Sequence, residues 1–153
     1  MRILTSILFA CLAGCASNSQ SGPQSISETS TVRPKLQDRI NFIEQYVTFK
    51  RNYLKLEYEV QYHNNSSGIV PGPSDWDIKI LAVVPPSEIA AWFPSNQSSI
   101  SKQPPAWLTA MPGTISRAKV TEWYATGGTE VGVDRNTSTI AYRNSTFAGT
   151  PQN

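Results

Sequence analysis

The chain has 153 residues, with 13 Lys and Arg against 11 Asp and Glu, a formal net charge of +2. So small a charge sets up no sequence-wide field, which argues against nucleic acid or an acidic polymer as partner. The two cysteines, Cys11 and Cys15, both lie near the start, and His63 is the single histidine. Neither a disulfide in the body of the chain nor a His-rich metal centre is therefore expected.

Met1-Arg2 precedes an apolar run over residues 3–12, and the small residues Ala13 and Gly14 lead into Cys15. That is the order of a secretory signal: a positive start, an apolar centre that partitions into the membrane, and small residues that fit a peptidase. The run falls short of the roughly 20 apolar residues a spanning helix needs, and Thr5 and Ser6 interrupt it. Leu12-Ala13-Gly14-Cys15 resembles the lipobox of bacterial lipoproteins, a likeness confined to residues 1–15. The resemblance implies removal of residues 1–14 as the signal peptide, a diacylglycerol on the Cys15 sulfur and acylation of the new amino group. Two or three acyl chains hold a protein stably on a bilayer, where one chain does not. It also implies a place in the bacterial cell envelope. With Ala16 rather than Asp after the cysteine, that place is the outer membrane of a diderm host.

Residues 15–34 read as the lipidated cysteine and a flexible tether. They are rich in Ser, Thr, Gln and Asn, with too few apolar groups to offset the entropy of ordering. As a random coil the tether holds the globular part roughly 25 Å from the lipid. Residues 35–146 are expected to form a single domain, and residues 147–153 a disordered tail.

After Pro34, Leu36, Ile40, Ile43 and Val47 recur with helical spacing, widened by Phe42, Tyr46 and Phe49, which predicts an N-terminal helix packed on a sheet. Residues 54–63 alternate strictly. That period buries Leu54, Leu56, Tyr58, Val60 and Tyr62 and wets the other face, as in an antiparallel strand with one solvated side. Residues 64–74, with Gly and Pro, predict a long loop. A second strand begins at Asp75 or Trp76, alternates through Ile78 and Ile80, and becomes apolar on both faces from Leu81 to Val84, as a central strand does.

Pro86 and Glu88 open a short helix bearing Ile89, Trp92 and Phe93, closed by Pro94. Residues 95–105 are polar and predict a loop; residues 106–111 predict a short helix stopped by Pro112-Gly113. Residues 120–125, with Trp123-Tyr124, predict a strand. Gly127-Gly128 turns the chain into a hairpin that pairs Val131 and Val133 with Ile140 and Tyr142. Residues 144–153 are expected to fray. The predicted fold is α+β: an antiparallel sheet of about four to five strands, with an N-terminal helix and short helices on one face.

Chemistry-bearing patterns are few. His63 has no second His or thiol to help it hold a metal or serve a triad, so no metal and no cofactor is expected. Asp75 and Asp77 sit two apart; on a strand they share a face about 7 Å apart, within range for an inverting glycosidase pair. Nothing else marks either as an acid, and the simpler expectation is a loop end and a solvated side chain. Gly127-Gly128 lacks the Lys and the strand-to-helix setting of a phosphate cradle. Trp76 and Trp92 fall in phase with core positions, whereas Trp107 and Trp123 are less constrained. Because loops carry contacts more often than strands, the expected partner-binding residues are Ser74, Asp75 and Trp76, with Trp107 and Trp123. The expected partners are the bilayer, through acylated Cys15, and an envelope protein or glycan, bound without catalysis. An envelope glycan hydrolase using Asp75 and Asp77 is the alternative.

Overall fold

A computed structural model describes residues 25–65, 72–93, 98–101, 103–117 and 119–146. Cys15 with its lipobox, residues 66–71 of the long loop, and the tail 147–153 lie outside them. The body is one antiparallel sheet of seven strands with short helices, an α+β arrangement. The strands are β1 (Ile26–Thr29), β2 (Lys55–His63), β3 (Asp75–Val83), β4 (Ser98–Ser101), β5 (Glu122–Thr126), β6 (Thr129–Asp134) and β7 (Thr139–Ser145). Their order across the sheet is β1-β2-β3-β7-β6-β5-β4. The helices are α1 (Leu36–Ile43), α2 (Ala106–Ala110) and 3-10 helices at Ser30–Val32 and Pro86–Trp92.

The expected hairpin forms, and its register sets Val131 opposite Tyr142 and Val133 opposite Ile140. Gly127 and Gly128, at φ 51° and 82°, make the tight turn before it, a conformation that glycine adopts without a Cβ penalty.

Two strands exceed the expected count. Ile26–Thr29, expected in the tether, pairs with β2 as Ile26–Tyr62 through Thr29–Glu59. A carboxylate cluster holds this polar strand in place. Glu28 accepts from Arg33 Nε at 2.7 Å and Nη2 at 3.1 Å, and from the Tyr58 hydroxyl at 2.7 Å. Arg33 in turn sits 4.3 Å over the Phe42 ring. The sheet thus already includes residues 26–29, which lie before residue 35. The second addition, Ser98–Ser101, pairs with β5 inside the expected polar loop. Asn144 and Ser145, expected to fray, extend β7 against Ile78 and Asp77.

Helices cover both faces of the sheet rather than one. Neighbouring residues in a strand point to opposite sides. Accordingly, Ile80 and Ala82 join a core with Phe42, Ile43 and Trp92 under α1 and the 86–92 helix. Leu81 and Ala141 join a second core with Leu108, Met111, Ile115, Val120 and Trp123. Full burial of Leu108, from α2, favours folding by about 2 kcal/mol. β3 is apolar on both faces because both are covered.

Helix α1 stops at Ile43, before the helical spacing that continues to Val47 runs out. Gln45 N bonds to Phe42 O at 3.1 Å and Tyr46 N to Ile43 O at 2.9 Å, tightening the chain into a turn. The β-branched and aromatic run from Tyr46 to Phe49 disfavours helix. It serves instead to bring Phe49 edge-on to Trp92 and Tyr142, both at 5.3 Å. Leu54, expected in the core, precedes β2 and is 59% exposed.

Candidate functional site

One cavity, of about 460 Å³, opens on the α1 face where the turn after the helix leaves the sheet uncovered. Trp76 and Ile78 of β3 and Tyr142 and Asn144 of β7 form its floor; residues 45–48 form its wall. The pattern of alternation explains the floor. Trp76, Ile78 and Ile80 share one side of β3, and Ile140, Tyr142 and Asn144 the matching side of β7, with Ile78 opposite Asn144. Where Ile80 and Ile140 sit deep in the core, Trp76 and Tyr142 lie at its edge and are half-buried.

The polar groups of this groove are held in place. The Trp76 indole N–H donates to Asn144 Oδ1, and Asn144 Nδ2 donates to Thr129 Oγ1 at 2.7 Å. The Trp76 backbone is fixed too, its N–H donating to Thr146 Oγ1 at 2.8 Å. Gln45 uses Nε2 on the Asn41 carbonyl at 3.0 Å, which leaves its Oε1 able to accept. Burial pushes the Tyr142 hydroxyl above the ordinary phenol range, so it is a neutral group at physiological pH. None of the lining residues carries a charge. Next to the groove, Tyr62 lies opposite Trp76 across the β2–β3 ladder and meets the Tyr46 ring edge-on at 5.4 Å.

Only Trp76 among the five expected partner-binding residues lines this groove. Ser74 and Asp75 are half-buried at the start of β3. Asp75 lies opposite His63 and accepts from Asn65 Nδ2 at 3.2 Å; the same amide also bonds to Pro73 O at 2.8 Å. Trp107 is half-buried on the other face, where its indole N–H donates to Glu130 Oε2 at 2.7 Å. Its ring meets Trp123 edge-on at 5.8 Å. Trp123 is a correction: it is 1% exposed and packs beneath α2, so it reaches no partner from a folded domain. The phase of β5 carries too little information to show this. What buries Trp123 is the 111–120 segment, which has no periodicity of its own.

The second acidic residue of the expected pair is also placed differently from expectation. Asp77 is buried, not solvated. Arg143 grips both its oxygens, Nε at 2.8 Å and Nη2 at 3.2 Å, with Lys79 Nζ at 3.5 Å. Lys79 also meets Glu59 at 2.8 Å. In register, Glu59, Lys79, Arg143 and Glu130 form one row across four strands. The row runs from acid through two bases to acid, with Asp77 set between the bases. The carboxylate a general acid would need is thus already committed to a bidentate pair. The row is a means of covering a sheet face that α2 does not reach.

Sequence reasoning does not single out Tyr46, Tyr142 and Asn144 as site residues. The even phase of β7 is legible, but which end of the sheet α1 leaves open depends on where the helix stops. Among the described residues no group of three or more His, Cys, Asp or Glu could hold a metal ion. Among the same residues no helix is long and apolar enough to cross a membrane. Comparison with protein-family models, with curated proteins and with solved structures found no match to this chain.

Proposed function

We propose that the chain is a lipid-anchored protein of the bacterial envelope whose domain binds an envelope component without transforming it. The observation that carries this reading is Leu12-Ala13-Gly14-Cys15, placed directly after a short apolar run headed by Arg2. Acylation at Cys15 would tie the domain to a bilayer through two or more chains. From Cys15 to Ile26 the backbone can reach at most about 36–40 Å, so the binding surface works close to the lipid. In a diderm host, Ala16 after the cysteine favours the outer membrane.

Two features of the domain support binding over catalysis. The aromatic groove at Trp76 has a size and lining suited to a ligand. Asp77, half of the alternative hydrolase pair, is held by Arg143 and Lys79 and offers no free carboxyl to a glycosidic oxygen. Growth of the expressing bacterium with a fatty-acid analogue tests the anchor. Label is expected on the wild-type protein and none on Cys15→Ser, which should leave the membrane fraction. Equal labelling of the two would end the reading.

A further inference from the structure

We infer that the groove floored by Trp76, Tyr142 and Asn144 is a binding site for a neutral oligosaccharide. The inference rests on the binding reading above and names the class of its ligand. Three observations carry it.

The first is charge. No lining residue of the groove is acidic or basic, although the opposite face carries a row of four charged side chains. Arg51 acts on Tyr142 only from outside the lining, so a charged ligand would lose its hydration in this groove with no opposite charge in direct contact to replace it. A neutral one would not.

The second is the mixture of groups. Trp76, Tyr142 and Tyr46 supply aromatic surface, and Asn144, Gln45 and Thr48 supply amides and a hydroxyl. An apolar peptide side chain would strip water from the Gln45 amide oxygen and return no hydrogen bond. A sugar presents an apolar C–H face to an aromatic ring and, at its rim, hydroxyls that both donate and accept. Gln45 donates its amide N–H to Asn41 and keeps its Oε1 for a ligand hydroxyl. Asn144 is fixed at both ends of its amide, by Trp76 and by Thr129, so little entropy is lost in ordering it around a ligand.

The third is topology. β3 and β7 occupy the middle of the seven-stranded sheet, each laddered on both sides. Their backbone groups are already paired, so a peptide cannot add itself here as an extra strand, the usual route by which sheets bind extended chains. On the strand floor, recognition must come from side chains. A cavity of about 460 Å³ holds two to three sugar rings, at roughly 150–200 Å³ each for close-packed organic matter.

Purified full-length protein in detergent micelles is titrated calorimetrically with three probes: an N-acetylglucosamine tetramer, maltotetraose and a neutral apolar hexapeptide. Saturable binding of either saccharide is expected, weakened about tenfold or more by Trp76→Ala and by Asn144→Leu. Trp107→Phe, on the other face, is expected to bind as the wild type does. Thermal unfolding of each variant confirms that it is folded; were Trp76→Ala unfolded, Thr48→Val and Gln45→Leu, at the rim, would carry the comparison. The site assignment is overturned by saccharide binding that these variants leave unchanged, by no saturable saccharide binding, or by the hexapeptide alone binding. Chain-length analysis of the recovered saccharide separates this from the broader reading. Shortened products would refute non-catalytic binding whatever the groove does, and intact saccharide that fails to bind overturns this site assignment while leaving the anchored binding reading to its own test.

Discussion

Glu57 and Gly113 are matched in shape: the backbone of Gly113 passes so close to the Glu57 carboxylate that a Cβ there would overlap it. Glu57 lies on the side of β2 expected to face water, yet it is buried. Its Oε1 accepts from the Thr114 and Ile115 N–H groups, the latter at 3.1 Å, and from Thr114 Oγ1 at 3.3 Å. Successive amides pointing at one carboxylate form an anion-binding concavity. Here the anion comes from the protein itself, and it fastens the 111–120 segment over the second core.

Gly113→Ala should therefore destabilise the domain by about 2–4 kcal/mol, because the φ of 133° is strained for alanine and the methyl meets a carboxylate. Glu57→Ala should cost about 2–3 kcal/mol by orphaning buried amides, and Glu57→Gln, which keeps one acceptor, about 1 kcal/mol. Urea unfolding curves measure all three. A Glu57→Ala variant as stable as wild type would refute the clamp.

A similar logic applies to Asp77. Asp77→Ala strips Arg143 and Lys79 of their shared anion and should cost about 2–4 kcal/mol. Replacing the pair together, as Asp77→Leu with Arg143→Met, should recover more than half of that loss. Equilibrium denaturation of the two singles and the double gives the coupling directly. If Asp77→Ala abolished an enzymatic activity while leaving stability untouched, the structural role would be wrong.

The tryptophans of the second core should separate cleanly. Trp123→Ala leaves a large cavity and should cost about 3–5 kcal/mol. Trp107→Ala, half-buried and edge-on, should cost about 1–2 kcal/mol. Gly132→Ala should be poorly tolerated as well, since its Cβ would come within 2.7 Å of Trp123 and Val120 side chains. Melting temperatures rank the three.

Glu28 predicts an acid sensitivity. Burial by itself raises its pKa, but hydrogen bonds from Arg33 and Tyr58, with the Arg33 charge, outweigh burial and hold it below the ordinary carboxylate value. A group depressed in the folded state contributes above its unfolded pKa, about 4.3 for Glu. That contribution is lost as pH falls through the lower folded value. Glu28→Gln should thus be less stable than wild type at pH 7 and converge with it as pH falls through the depressed folded value. Unfolding midpoints at a series of pH values check this; parallel curves for the two proteins would contradict it.

The legible part of this fold is whatever has a strong period of two. β2, β3 and the β6–β7 hairpin can be placed from alternation and turn residues, the hairpin with Val131 and Val133 on one arm and Ile140 and Tyr142 on the other. The edge strands cannot, because Ile26-Ser-Glu-Thr carries a single apolar residue and β4 consists of Ser and Ile alone. β1 owes its place to a carboxylate, an arginine and a tyrosine, the last of them distant in sequence. Glu57 and Asp77 look solvated because a polar residue on an alternating strand usually is; their partners lie dozens of residues away. The groove depends on the early stop of α1, a competition between helix propensity and the pull of Phe49 toward Trp92. Trp76 stands out in the sequence and lines the groove. Its neighbours Tyr142 and Asn144 do not stand out.

Ile26 stands opposite Tyr62, and Tyr62 stands opposite Trp76, so the amino-terminal end of the first strand and the aromatic groove share one end of the sheet. Ser25 Oγ, one residue before this strand, accepts from the Asn64 N–H at 2.9 Å, so the corner where the chain enters the sheet is pinned to the far end of β2 ahead of the ladder itself. Through Tyr62, which meets the Tyr46 ring at 5.4 Å, that pinned corner also braces one wall of the groove, so loosening the first strand should loosen the groove with it.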